Sequence, residues 1–149
     1  MSHRPESLRV LETLHQMRQR AVEETSGKLS RQKQLCQRYH NNIEALNALS
    51  DSSREISAGA AQMNNQANFK ANIQRVIDWQ KQEQALAAIE QAAIQRELAE
   101  QASREMTINV VINQQKALLR EALDRAQQKL TDAQAMQSWM RKHRSGRMD

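Results

Sequence analysis

The chain of 149 residues is poor in residues that make turns or fill compact cores. It contains one proline, three glycines, two tryptophans, one tyrosine and one phenylalanine. Globular domains average about 5% proline and about 7% glycine because their chains turn often. The shortage excludes β-sandwiches, Rossmann-type folds and most enzyme scaffolds, and it predicts a few very long helices.

Cysteine and long apolar runs are also scarce. Cys36 is the only cysteine, which excludes an intramolecular disulfide and a cysteine-built metal site and suits a reducing compartment. No stretch approaches the roughly 18 apolar residues of a spanning helix, and the first residues lead into no apolar signal region. We therefore expect a cytoplasmic protein that is not inserted in a membrane.

The net charge of +5 is concentrated in the last residues of the chain. Arg141, Lys142, Arg144 and Arg147 face a single acid there, Asp149. In the rest of the chain, basic and acidic residues alternate as on a solvated helix face. A nucleic-acid binder usually shows a basic stripe with aromatic residues for stacking, and neither is obvious here. We expect no nucleic-acid partner, although a nucleic-acid-binding helical hairpin stays an alternative.

The breaks in the sequence predict two helices of unequal length in one coiled-coil domain, residues 1–149. A cluster of serine and other small residues interrupts an otherwise helical pattern once. The expected lengths are roughly 70 Å and 120 Å at 1.5 Å per residue, too long for a globule of this mass. The predicted segments are helix 1 at about 6–54, a linker at about 55–63, helix 2 at about 64–143, and a basic tail at 144–149.

Apolar residues recur every seven residues in both predicted helices. In the second helix one register runs through the a positions Ile77 to Met140 and the d positions Ile73 to Met136. This spacing predicts a left-handed coiled coil, and the short linker favours an antiparallel pairing. The fold class is thus all-α, a long antiparallel two-helix hairpin. One end of the longer second helix must lack a partner and expose an apolar stripe, and the sequence does not say which end.

No residue pattern indicates catalysis. No glycine-rich loop could hold a phosphate, no histidine pair has metal-binding spacing, and neighbouring acids such as Glu97 and Glu100 suit a solvated helix. We therefore expect no enzyme, no cofactor and no metal. The histidines lie far apart in the sequence: His3, His15, His40 and His143.

Residues 65–80 carry the most distinctive motif. An Asn-x-x-x-Phe element, Asn65 to Phe69, opens the second helix, and aliphatic residues and a glutamine-rich continuation follow it. Two upstream features belong to the same family-like pattern: Glu12-Thr13-Leu14, and the spacing of residues from Cys36-Gln37 onward. In these motifs and in its helix, linker, longer-helix layout, the chain resembles the FliJ family of flagellar export proteins.

The resemblance implies an antiparallel coiled coil similar to the central γ stalk of rotary ATPases. Its two termini would sit in the centre of the hexameric export ATPase and promote ring assembly and hydrolysis. The residues expected at this contact are Leu8, Leu11, Met136, Met140, Arg141 and Lys142.

The resemblance also implies that the linker end touches the cytoplasmic domain of the export gate, which keeps the protein peripheral to the inner membrane. Family members handle export chaperones as well. By position, the gate-contacting residues are Asn42, Leu46, Leu49, Ser53, Phe69, Ile73, Val76 and Gln80. Three of these, Phe69, Ile73 and Val76, could instead be plain seam residues that close the hairpin.

Two other functions share this architecture. One is the ATPase stalk of an injectisome, the secretion system used in virulence, although the Asn-x-x-x-Phe element favours the flagellar system. The other is a structural coiled coil that associates with itself.

Overall fold

A computed structural model describes residues 5–52 and 59–146 and contains two helices in this part of the chain. Helix α1 spans Glu6–Ser52 and helix α2 spans Ala60–Gly146. No strand occurs among these residues. The predicted fold class, an all-α helical hairpin whose second helix is longer, is confirmed.

Helix α1 begins directly after Pro5. The carbonyl oxygen of Pro5 accepts hydrogen bonds from the backbone N–H of Leu8 at 3.0 Å and of Arg9 at 3.3 Å. Proline suits this place because the first N–H groups of a helix have no partner within the helix. Glu6 lies in the first turn, where its negative charge interacts favourably with the helix dipole.

Helix α2 begins at Ala60, whereas the sequence had placed its start near residue 64. Gly59 has a φ of 98°, a left-handed conformation that favours glycine, and its carbonyl accepts the N–H of Met63 at 3.0 Å. Residues 60–63 had been assigned to the linker because they follow a small polar cluster. Two of them are alanines, the best helix formers, so the helix extends back to the glycine.

The other end of α2 also extends beyond its expected limit. The helix continues through Gly146, so part of the predicted tail at 144–149 is helical. His143 and Arg144 lie in the last turn, where positive charge stabilises the negative end of the helix dipole. The predicted linker residues 55–58 and the end of the tail, 147–149, lie outside the described residues.

Contacts divide the described chain into two compact units. The first, the terminal unit, contains residues 5–17 and 104–146; the second, the linker unit, contains residues 18–52 and 59–103. Each unit pairs a stretch of α1 with a stretch of α2. In the linker unit the pairing is antiparallel, since Gln32 meets Ala87 whereas Ile43 packs with Ile73 and Ile77.

The core of the linker unit follows the predicted a and d positions. Ile43, Ile73 and Ile77 are 8%, 6% and 2% exposed, and half-buried Leu46 packs against them. Further along the same seam Ala87 and Ile94 are buried. The seven-residue register predicted from the sequence is confirmed here.

One polar residue in this seam forms a hydrogen bond across the helices. The side-chain amide of Gln32, at a d position, donates to the backbone carbonyl of Ala87 at 3.0 Å. A buried amide that finds a partner avoids the cost of an unsatisfied polar group. Gln32 therefore connects the two helices although it dilutes the apolar seam.

The terminal unit has a short seam that includes polar contacts. Leu8 and Ile112 are 3% and 4% exposed. His15 Nε2 lies 3.5 Å from a Glu105 carboxylate oxygen, and Lys116 Nζ lies 3.8 Å from Glu12. Such partly exposed pairs contribute little to stability, so the buried aliphatic residues hold this unit together.

Burial along α2 ends after Leu119. Leu119 is half-buried, and residues 120–146 are all exposed. The reason is the length of α1, which begins at Glu6 and offers no further residues to pair with. The unpaired end of the longer helix is thus its C-terminal end, and we call residues 120–146 the bare segment.

Candidate partner-binding surfaces

The residues expected at the export gate divide between the seam and the surface of the linker unit. Leu46 and Ile73 belong to the core cluster. Gln80 is half-buried, and its side-chain oxygen has no hydrogen-bond partner among the described residues. Leu46 and Ile73 therefore support the pairing of the helices, whereas Gln80 lies in the seam with an unsatisfied oxygen. Ser53 lies outside the described residues.

The other four residues, Asn42, Leu49, Phe69 and Val76, are exposed, and we call them the linker-end surface. All four occupy the g position of the heptad, next to the seam. Positions of the same letter flank the same side of an antiparallel pair, so α1 and α2 contribute to one face. Leu49, Phe69 and Val76 are 48%, 44% and 43% exposed. The structure thus favours a surface role for Phe69 and Val76 and a seam role for Ile73.

The residues expected at the ATPase divide in the same way. Leu8 is buried and Leu11 is half-buried in the terminal unit, because both occupy seam positions. Met136 and Met140 are 63% and 50% exposed, and the bare segment that carries them also exposes Arg141 and Lys142.

An apolar stripe runs along the bare segment, and the predicted register describes only part of it. That register puts Lys129 at a d position, where it is exposed. Large apolar residues stand one position later in each heptad, at Leu123 and Leu130, which are 58% and 61% exposed. Both leucines fall outside the predicted a and d positions, although steps of three or four residues from Leu119 onward lead to them. The stripe consists of Leu123, Ala126, Leu130, Ala133, Met136 and Met140.

The end of the bare segment is basic and aromatic. Residues 133–146 contain two arginines and a lysine and no acidic residue. The rings of Trp139 and His143, one helical turn apart, stack with centroids 4.3 Å apart and planes inclined by 21°. Trp139 is nevertheless 59% exposed. An exposed aromatic ring among cations is typical of residues that anchor a protein interface.

The described residues offer few groups for metal binding or catalysis. No group of three or more histidine, cysteine, aspartate or glutamate side chains within them could hold a metal ion. Cys36 is free and half-buried, and His40 pairs with Glu44 on its own helix at 3.0 Å. Within residues 5–52 and 59–146, no helix is long and apolar enough to cross a membrane.

These features define a class of protein: an all-α helical hairpin with apolar side chains exposed along its helices. A family model described as the flagellar FliJ protein matches residues 7–144, nearly the whole chain. The chain therefore belongs to the FliJ family and is a protein associated with flagellar export. No curated protein and no solved structure matches it.

Proposed function

We propose that this chain is a non-enzymatic stalk that binds the flagellar export ATPase through the bare segment. The observation that carries the proposal is the exposure of all residues from 120 to 146 on a continuous helix. An amphipathic helix with no partner among the described residues usually marks a binding site. Membership of the FliJ family supports the export ATPase as the partner.

The charge of the bare segment favours a partner other than a second, parallel copy of the segment. Residues 133–146 carry basic residues without acids. Two segments paired in parallel would bring these cations together. An acidic ring lumen avoids this arrangement, so a parallel structural coil that associates through this segment is disfavoured.

The linker-end surface is the proposed contact with the export gate. Its residues lie on either side of the linker in the sequence, far from both chain termini. Both helices contribute apolar side chains to it. Binding the gate there would couple the ATPase to export and hold the protein at the membrane periphery. Escort of export chaperones completes the proposal and is supported by family membership alone.

The ATPase contact is tested by placing charge on the apolar stripe. The double variant Met136→Asp/Met140→Asp should lose most stimulation of the cognate ATPase, because carboxylates replace exposed apolar side chains at the contact. Hydrolysis rate and ring formation are the measurements. The matched control is Met63→Asp/Met106→Asp, whose methionines are 62% and 68% exposed outside the bare segment. Equal stimulation by both double variants would rule out the bare segment as the ATPase contact.

The gate contact is tested with a pair of aromatic substitutions. Phe69→Ala should weaken binding to the cytoplasmic domain of the gate about tenfold, the loss expected of an interface anchor. It should leave ATPase stimulation unchanged, whereas Trp139→Ala should do the reverse. Binding is measured by titration calorimetry, with circular dichroism to show that helicity is retained. Loss of helicity in Phe69→Ala would instead assign that ring to the seam.

A further inference from the structure

A second apolar stripe lies on α2 within the linker unit, on the face turned away from α1. Trp79, Leu86 and Ile89 are 55%, 61% and 66% exposed. They occupy the c and f positions of the heptad, and at 3.6 residues per turn this face lies about 160° from the seam. Neither the proposed ATPase contact nor the proposed gate contact uses it. We call it the outer stripe; its members are Asn72, Arg75, Trp79, Gln82, Leu86, Ile89, Ala93, Arg96, Glu100 and Ser103.

We propose that a second copy of this chain docks antiparallel on the outer stripe, with a two-fold axis passing between Ala87 and Ala88. The two-fold axis places each residue of the outer stripe opposite a residue of the second copy, and the residues in each pair are chemically compatible. At the centre Leu86 faces Ile89 of the second copy. Further out Gln82 faces Ala93.

The same register matches the aromatic and charged residues at both ends of the outer stripe. Trp79 faces Arg96 of the second copy, a pairing in which the cation can lie over the indole ring. One step further, Arg75 faces Glu100, an ion pair of opposite charges. Because the arrangement is two-fold symmetric, each of these contacts forms twice.

One pair of side chains opposes this docking and limits its strength. Glu83 and Glu90 occupy g positions beside the stripe, and in the same register each lies about 3 Å along the helix from the position opposite the other residue in the second copy. Like charges at that spacing are destabilising. We therefore expect a dimer that dissociates at low micromolar concentration, which leaves single chains available to an ATPase ring.

A second copy explains the outer stripe better than an unrelated helix does. Trp79 and Arg75 on one side of the axis each face a residue of matching chemistry on the other side, Arg96 and Glu100 of the second copy. A foreign partner would require no such internal symmetry.

Charge reversal across the axis tests the proposal. Sedimentation equilibrium of the full chain should show a monomer–dimer equilibrium. Arg75→Glu and Glu100→Arg should each raise the dimer dissociation constant about tenfold, because two attractive pairs become repulsive. The double variant Arg75→Glu/Glu100→Arg should restore dimerisation. Glu24→Arg, an exposed position on α1, should leave the dissociation constant unchanged.

Removal of the opposing charge gives a prediction of the reverse sign. Glu90→Gln should tighten the dimer several-fold, since it relieves the repulsion with Glu83 at both symmetric places. Orientation is tested in a Cys36→Ser background under mild oxidation. A mixture of Leu86→Cys and Ile89→Cys chains should cross-link to each other faster than either chain cross-links to itself.

The outcomes that overturn the proposal are distinct. A chain that stays monomeric at high micromolar concentration excludes docking of a second copy. A dimer in which Leu86→Cys chains link mainly to themselves is parallel, and a dimer insensitive to both charge reversals uses another face. None of these results bears on ATPase stimulation, which the bare segment tests separately.

Discussion

Ile77→Ala is expected to lower the free energy of unfolding by about 2–5 kcal/mol, the usual cost of removing a buried aliphatic side chain and leaving a cavity. Ile77 is 2% exposed and packs with Ile43 and Ile73 in the linker unit. A two-helix seam has few layers of side chains. The seam positions that follow Ile77 include glutamine and alanine, which bury less apolar surface. The loss of one central isoleucine therefore removes a large share of the packing between the helices. Urea denaturation followed by circular dichroism measures it.

The neighbouring residue provides the matched control. Val76 is 43% exposed, so Val76→Ala should cost less than about 1 kcal/mol, as expected for a surface substitution. The two substitutions are adjacent in sequence and differ mainly in which face of α2 they occupy. If both variants unfolded at the same urea concentration, Ile77 would not belong to the seam and the predicted register would be shifted.

The sequence alone predicted the fold because its signals were periodic and extended. Scarce proline and glycine implied long helices, and the seven-residue spacing placed Ile43, Ile73 and Ile77 on facing sides of the two helices. The helix ends were harder to place. Ala60 and Ala61 continue a helix as readily as they continue a cluster of small residues, and only the backbone of Gly59 decides between the two.

The candidate surfaces were predicted less well, for a physical reason. Resemblance to a family transfers positions along the chain, whereas availability to a partner depends on which side of a helix a residue occupies. Ile73 and Val76 are three residues apart, yet one is buried and the other is exposed. The unpaired end of α2 also depended on register, since the same two helices could have aligned with the surplus at either end.

Truncation after Leu119 is expected to leave the stability of the paired helices nearly unchanged. Residues 120–146 are all exposed, so their removal uncovers no core residue, and the denaturation midpoint should move by less than the equivalent of about 0.5 kcal/mol. The helical signal should fall markedly, because a long stretch of helix is lost. Circular dichroism measures both quantities on the same samples.

The variant to compare with this truncation is Leu8→Ala, a single substitution near the other terminus. Leu8 is 3% exposed, so its loss should destabilise the terminal unit by about 2–5 kcal/mol. Deleting the whole bare segment would then cost less than shortening one side chain. A truncated chain that unfolds as early as Leu8→Ala would show that the segment contacts the rest of the molecule. If it is as stable as the full chain but fails to stimulate the ATPase, the bare segment serves binding and not folding.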